Sequence, residues 1–157
     1  MQLLVRFLPD WYIWEFHMLV RLLYVSQPVG PITTAVTSSL LALSSQFNKQ
    51  ENITGVLCQG SGLYMQVLEG ERNKVNRLFG KIMADKRHER IELLSMEDIS
   101  QRQFGLWSMA LVHLSTDDPM VKMGHPEFDP YAASSSDAMK LIHSLIKAGV
   151  PIDKAGE

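Results

Sequence analysis

Three polar side chains fall where the apolar pattern of the sequence predicts a protein core: Tyr24, Gln66 and Asn48. A buried glutamine costs roughly 1–3 kcal/mol unless its amide is hydrogen-bonded, so Gln66 needs a partner, and a neighbouring tyrosine hydroxyl is one candidate. A phenol can release a proton and an electron without a metal, and an amide both donates and accepts hydrogen bonds. Together these groups could form a hydrogen-bonded cluster inside the predicted core.

Each of the three residues also has a structural explanation when it is taken alone. A buried tyrosine commonly bonds to the backbone, a strand glutamine often points outward at a sheet edge, and an asparagine at a helix end is commonly a cap. The combination, rather than any single residue, favours a site. Ser44 lies one turn before Asn48 on nearly the same face of the predicted first helix.

The apolar pattern predicts the elements that would position these side chains. Residues 19–26 form an apolar run that is bounded by Pro28 and Gly30, which is typical of a short buried strand. A helix should begin near Thr33 or Thr34, either of which can cap it, and end near Asn52. Four of its residues form an apolar stripe that we expect to face a core: Val36, Leu40, Leu43 and Phe47.

The order of the remaining elements predicts the fold class. A Gly60-Ser61-Gly62 turn between two strand-like runs indicates a hairpin, because glycine supplies the positive φ of a tight turn. The pattern βαββαββ predicts an α+β fold, with a ferredoxin-like mixed sheet and two helices on one face. The further predicted elements are strands over 53–59 and 63–69, a helix over 71–85 with the stripe Val75, Leu78, Phe79 and Ile82, and strands over 91–96 and 107–114.

The other face of the sheet also needs a cover, because the strand over 63–68 is apolar on both faces apart from Gln66. A C-terminal helix can supply it, capped by Ser136 or Asp137 and ended by Gly149-Val150-Pro151. Its apolar stripe is Met139, Ile142, Leu145 and Ile146. The Pro-, Asp- and Ser-rich stretch over 117–135 is interpreted as a linker.

Composition excludes several classes of function. The 157 residues carry a formal net charge of −2, which offers no basic field for nucleic acid. Cys58 is the single cysteine, so an internal disulfide is impossible, and the chain is interpreted as cytoplasmic. No apolar run reaches the ~18 residues of a membrane span. The five histidines are scattered without a nucleophile partner, so we do not expect an enzyme.

The segment 1–17 is rich in aromatic residues and is interrupted by Pro9-Asp10. It lacks the basic start, continuous apolar stretch and cleavage site of a secretory signal. One interpretation is an extension outside the fold, with Met18 as a natural start. The other is a docking segment that covers an apolar surface on this chain or on a second copy.

Five successive motifs carry a family resemblance between about Met18 and Leu114: RLLYVSQ, NKQENITGVLC, YMQVLEG, DKRH and WSM. In this order and register they resemble the motifs of BLUF domains, which are blue-light sensors that use flavin. The resemblance implies that Tyr24 donates an electron and a proton to the excited flavin, and that the side chain of Gln66, between tyrosine and flavin, rearranges. It also implies that Asn48 hydrogen-bonds the polar edge of the ring, and that Trp107 and Met109 on the last strand respond to light.

The resemblance also implies further contacts around the flavin. Ser44 matches a serine beside the glutamine, while Lys81 and Asp85 match positions that often carry an arginine and an aspartate. The two helix stripes would form an apolar slot for the ring, from Leu40, Leu43, Phe79 and Ile82. Lysine at position 81 loses the planar bidentate bonding of arginine, and the segment 1–17 is not part of the family pattern.

The sequence therefore predicts a blue-light photoreceptor that binds flavin non-covalently, with FAD favoured and FMN or riboflavin also compatible. We expect three parts: the extension over 1–17, a flavin-binding domain over 18–115, and a helical tail over 116–157. The signal would pass to a separate effector protein or through a change in a homo-oligomer. The alternative is a ferredoxin-like module that binds a partner or another ligand without photochemistry.

Overall fold

The computed structural model of the chain describes residues 18–105, 107–113, 129–148 and 153–154. The predicted extension over 1–17, most of the predicted linker, Leu114 and the helix-ending residues 149–151 lie outside the described residues. The elements are β1 (Leu19–Pro28), α1 (Thr34–Glu51), β2 (Thr54–Gly60), β3 (Leu63–Glu71), α2 (Arg72–Ala84), β4 (His88–Asp98), β5 (Ala110–His113), α3 (Ser135–Ala148) and β6 (Asp153–Lys154).

These strands form one mixed sheet in the order β4-β1-β3-β2-β5-β6. The first four are antiparallel to their neighbours, and β5 pairs with β2 in parallel. This confirms the predicted ferredoxin-like α+β sheet. The two-residue strand β6 pairs with the outer edge of β5 and was not predicted, because so short a segment has no apolar period to detect.

Side chains of β1 alternate between two cores. Leu22 and Tyr24 pack with residues of α1 and α2, whereas Leu23 and Val25 pack with residues of α3. The α3 side chains in this second core are Ala138, Ile142 and Leu145. Full burial of a large aliphatic side chain contributes roughly 1.5–3 kcal/mol, so α3 is an integral cover of the sheet. The predicted C-terminal cover is confirmed.

Local sequence signals set the ends of several elements. The Thr33 hydroxyl accepts from the backbone N–H of Val36 at 3.2 Å and caps α1, and Asn52 takes the left-handed conformation at its end with φ 54°. The β2–β3 turn uses positive φ at Ser61 and Gly62, as expected for a tight hairpin. The capping of α3 was predicted wrongly.

The residue that caps α3 is Ser134, whose hydroxyl accepts from the backbone N–H of Asp137 at 3.1 Å. The same hydroxyl donates to the Asp137 carboxylate at 2.9 Å. The two contacts join residues three positions apart, and the first of them satisfies one of the free N–H groups of the first turn. Ser136 and Asp137, the two predicted caps, both lie inside the helix.

The predicted core stripe of α1 is wrong in part, because Val36 and Leu43 are 40% and 58% exposed. The face that packs on the sheet contains Thr37, Leu41, Ser45 and Asn48. Polar contacts hold this face inward: the Thr37 hydroxyl, for example, donates to Gln59 Oε1 at 3.0 Å. A hydrophobicity pattern cannot reveal a helix face that packs through small and polar side chains.

The last predicted strand is shorter than expected, because Trp107 and Met109 precede β5 instead of lying on it. The Trp107 carbonyl accepts from the backbone N–H of Gly55 at 3.0 Å. The Ser108 carbonyl accepts from the side chain of Asn48 at 2.8 Å. These carbonyls bond outside the β2–β5 ladder, so the strand begins only at Ala110.

In the part of the chain that the structure describes, no helix is long and apolar enough to cross a membrane.

Candidate functional site

A cavity of about 270 Å³ lies on the α1 and α2 side of the sheet. Its walls combine aliphatic residues of both helices with polar residues of β1, β3 and the segment after α2. The lining residues are Tyr24, Leu40, Leu43, Ser44, Asn48, Leu57, Tyr64, Gln66, Leu78, Lys81, Ile82, Asp85, Arg87 and His88. The structure thus brings the predicted flavin contacts together around one cavity, with the exception of Phe79.

Phe79 does not line the cavity. Its ring packs against the ring of Tyr24, with 5.6 Å between centroids and 46° between planes. An aromatic pair at this separation stabilises the relative placement of the two rings. Phe79 therefore contacts the cavity through Tyr24, and its predicted place in the wall of the slot stays a prediction.

A hydrogen-bonded chain links Tyr24, Gln66 and Met109. Tyr24 and Gln66 are directly opposite each other in the β1–β3 pairing, which places both side chains on the cavity face. The Tyr24 hydroxyl donates to Gln66 Oε1 at 2.5 Å, and Gln66 Nε2 donates to the Met109 sulfur at 3.4 Å. The hydrogen-bond partner of the buried Gln66 is therefore a tyrosine hydroxyl, which is the candidate that the sequence suggests.

The Tyr24 hydroxyl remains protonated over the whole physiological range. Burial of the side chain raises its pKa well above the ordinary value, and the negative charge of Asp85 and the nearby Tyr64 raise it further. The protonated phenol is therefore able to donate, as it does here to Gln66 Oε1.

Asn48 has one satisfied and one unsatisfied polar atom. Its side chain is 1% exposed, and Nδ2 donates to the Ser108 carbonyl at 2.8 Å. Among the described residues, Asn48 Oδ1 is the buried side-chain atom without a hydrogen-bond partner. An unsatisfied buried acceptor is unfavourable by about 1–3 kcal/mol, so a ligand that donates to it gains that free energy.

Charged groups gather where α2 ends. The Lys81 ammonium lies 4.4 Å from the centroid of the Phe47 ring. Asp85 accepts from the Arg87 guanidinium at Oδ1 and Oδ2, with Nε–O distances of 3.0 Å. The hydrogen bond from Arg87 is the largest cause that lowers the pKa of Asp85, so the carboxylate is charged at neutral pH. Lys81, Asp85 and Arg87 form a polar rim on a mainly apolar cavity.

A flavin fits these residues. Its isoalloxazine ring is flat and largely apolar with a donor/acceptor edge, and the cavity offers aliphatic walls, the unsatisfied Asn48 oxygen and the amide of Gln66. Ligand pockets commonly measure roughly 300–1,000 Å³, so about 270 Å³ suits the ring better than a whole dinucleotide. The polar rim would then contact the part of the cofactor outside the cavity.

Comparison with known proteins agrees with this geometry. Residues 19–110 match the model of the BLUF family, described as sensors of blue-light using FAD. The chain belongs to the BLUF family. It is a flavin-dependent blue-light sensor, which confirms the predicted function and cofactor class and favours the photoreceptor hypothesis over a binding module without photochemistry.

The matched region makes up very different shares of the related proteins. The α subunit of photoactivated adenylate cyclase from Euglena gracilis is 37% identical over 87 residues, 55% of this chain. The chain spans only 8% of that subunit. The photo-activated state of BlsA is 31% identical with a TM-score of 0.74, over 84% of this chain and 97% of BlsA. A bacterial light-regulated adenylyl cyclase is 30% identical with a TM-score of 0.63, over 83% of this chain and 36% of that one.

Sequence reasoning missed several residues of the BLUF cavity. Tyr64 lies two positions before Gln66 in β3, and the period of two along a strand could have placed it on the same face. Arg87 and His88 belong to the DKRH motif, but the motif alone assigns them no role in the cavity. His88 Nε2 donates to the Ile82 carbonyl at 2.6 Å and Nδ1 lies 2.8 Å from the Ser26 hydroxyl, so this side chain joins α2 to β1.

Proposed function

We propose that this BLUF domain senses blue light through a rearrangement of the Gln66 hydrogen bonds. The observation that supports the proposal is the chain from the Tyr24 hydroxyl through the Gln66 amide to the Met109 sulfur. An amide in the middle of such a chain can exchange donor and acceptor by rotation or tautomerisation. The protein then has two hydrogen-bond arrangements that are close in free energy, which a sensor requires.

The chemistry of Tyr24 starts the rearrangement. When bound, the flavin supplies blue-light absorption and an excited state that takes up an electron. Tyr24 gives up an electron and its phenolic proton and afterwards recovers both, so no substrate is converted. While the phenol lacks its proton, it no longer donates to Gln66 Oε1, and the amide is free to reorient.

The other cavity residues hold the cofactor in this proposal. Asn48 bonds the polar edge of the ring through its unsatisfied Oδ1. Ser44 lies on the same wall, while Lys81 and Asp85 contact the polar part of the cofactor beyond the ring. Leu40 and Ile82 supply apolar walls. FAD fits the family description, and FMN and riboflavin share the same ring.

The output in this proposal is protein association and not catalysis. We propose a flavin-binding domain over 18–115 and a helical tail over 116–157 that signals to a separate effector protein or to a second copy of the chain. The formal charge of −2 gives no support for nucleic acid as the partner. The single cysteine is buried, which is consistent with a cytoplasmic location.

Gln66→Leu tests the proposal. We expect the variant to bind flavin and to lose the small, reversible red shift of the flavin absorption under blue light. Gln59→Leu is the matched control, because Gln59 is a buried strand glutamine that bonds to Thr37 and does not line the cavity. It should keep the shift. A full light-induced shift in Gln66→Leu would refute the proposed role of Gln66.

A further inference from the structure

We propose that Glu69 is a positioning residue that fixes the segment through which the photocycle acts on α3. This inference rests on the photocycle proposed above. We call residues 102–109, the second part of the link between β4 and β5, the linking segment; the structure describes all of it except residue 106. Three features of the linking segment support the proposal: the anchor at its start, the contacts at its end, and the ring that it places against α3.

The start of the linking segment is anchored to a buried carboxylate. Glu69 lies at the end of β3 and is 0% exposed. Its Oε2 accepts from the backbone N–H groups of Gln103 at 3.0 Å and Phe104 at 2.9 Å, and its Oε1 accepts from Arg21 Nε at 2.8 Å. Hydrogen bonds to an ionised carboxylate are stronger than neutral ones, so these two amides are held firmly.

Arg102 adds a second anchor from the segment itself. Its guanidinium donates to the Thr54 hydroxyl at 2.9 Å, to the Glu69 carbonyl at 2.9 Å and to the Asn52 carbonyl at 2.6 Å. These acceptors lie at the end of β3 and around the start of β2. The beginning of the linking segment is therefore tied to the two central strands.

The end of the linking segment is bound to the cavity. The Ser108 carbonyl accepts from Asn48 Nδ2 at 2.8 Å, and the Met109 sulfur accepts from Gln66 Nε2 at 3.4 Å. When the Gln66 amide reorients, the bond to Met109 is the contact that changes. A displacement therefore enters the linking segment at Met109, while Glu69 holds the other end still.

The middle of the linking segment carries two aromatic rings to the opposite face of the sheet. Phe104 is 2% exposed and stacks on the His143 ring of α3, with 5.5 Å between centroids and 24° between planes. Trp107 packs against the same core as α3. With one end fixed by Glu69, movement at Met109 must be taken up by the part that touches α3. Without that anchor, the whole linking segment can shift, and the movement of Met109 is not transmitted to α3.

The test is Glu69→Gln in the full chain, with Glu97→Gln as the control. Both variants remove a carboxylate that bonds to Arg21, but Glu97 does not bond to the linking segment. We expect Glu69→Gln to bind flavin and to keep the light-induced red shift. Because amide protection follows local stability, its Gln103 and Phe104 amides should exchange about tenfold faster in the dark. The light–dark difference in exchange across residues 135–148 should disappear, while Glu97→Gln keeps it.

A purely structural role for Glu69 would lower the unfolding stability and leave that light–dark difference intact in the folded molecules. That result would overturn the inference, as would a wild-type chain with a red shift but no light–dark difference in α3. A wild-type chain without any red shift would instead contradict the photocycle itself.

Phe104→Leu gives a second test if Glu69→Gln does not fold. Leucine keeps an apolar side chain in the core and keeps the backbone N–H that Glu69 binds, but it removes the ring stack on His143. We expect normal protection of the Gln103 and Phe104-position amides, a normal red shift, and no light–dark difference in α3. If this variant keeps a light–dark difference in the amide exchange of α3 equal to that of the wild type, the signal does not pass through this ring and the inference is overturned.

Discussion

Trp107 and Met109 are two residues apart in the chain, but their side chains belong to the cores on opposite faces of the sheet. Met109 is buried with Tyr24 in the core under α1 and α2, and its sulfur accepts from Gln66. Trp107 packs against the core under α3. The family resemblance implies that both residues respond to light, which stays a prediction. The structure gives them different contacts: Met109 packs with Tyr24 and bonds to Gln66, and Trp107 packs against the core under α3.

Met109→Leu should change the lifetime of the illuminated state. Leucine has a similar volume but no acceptor for Gln66 Nε2, so the dark arrangement loses one hydrogen bond. A typical hydrogen bond contributes about 0.5–1.5 kcal/mol, and we expect dark recovery to slow by up to about tenfold. The measurement is the decay of the red-shifted absorption after illumination. Met65→Leu, a buried methionine on the α3 side, is the control and should recover at the wild-type rate.

Asn48→Ala should weaken flavin binding. The change removes the acceptor Oδ1, and loss of one hydrogen bond to a buried group costs about 1–3 kcal/mol, which corresponds to roughly fivefold to 150-fold in Kd. Titration of the flavin-free protein with flavin measures the effect. Ser45→Ala is the control, because Ser45 also contacts Ser108 but does not line the cavity. Equal losses in both variants would mean that Asn48 acts by holding Ser108 and not by binding the cofactor.

His143 should make the fold less stable in mild acid. Burial against Phe104 lowers its pKa, and the charges of Arg21 and Lys147 lower it further, while Glu69 acts in the opposite direction. The unfolded chain therefore binds the proton more tightly than the folded one. Stability falls as the pH drops through the ordinary histidine pKa of about 6.5 and levels off below the lowered value.

His143→Phe is the variant that tests this pH dependence, because phenylalanine keeps a ring against Phe104 and does not titrate. Its free energy of unfolding should fall less than that of the wild type between about pH 7.5 and pH 5, a range that spans the ordinary histidine pKa. His113→Gln changes an exposed histidine and serves as the control. Identical pH profiles for the wild type and His143→Phe would contradict the prediction.

The strand pattern of the sequence was sufficient to predict the fold and much of the site. A period of two places Tyr24 and Gln66 on one face of adjacent strands, and the apolar stripe of α3 predicts a cover for the other face. The α1 orientation could not be predicted, because Thr37 and Ser45 pack inward through hydrogen bonds that a hydrophobicity pattern does not register. Leu43 is exposed and not in the core that its apolar stripe predicts, but it lines the cavity, which is the place that the family resemblance implies for it.

Contacts that depend on the path of the folded backbone could not be predicted from the sequence either. Glu69 and Phe104 are 35 positions apart, and only the folded backbone shows that one carboxylate binds two consecutive amides of the linking segment. Arg87 pairs with Asp85 two residues away, so its place on the rim depends on how the chain turns after α2. The spacing of these residues in the sequence predicts neither the contact of Glu69 with the linking segment nor the place of Arg87 on the rim.

The most direct test of the proposed photocycle is the absorption spectrum of Tyr24→Phe, recorded in the dark and after blue light. Phenylalanine keeps the ring that packs on Phe79 and removes the hydroxyl that donates to Gln66. The proposal predicts that the variant binds flavin but does not show the normal reversible red shift. A shift and a dark recovery equal to those of the wild type would contradict the central role of the Tyr24 hydroxyl.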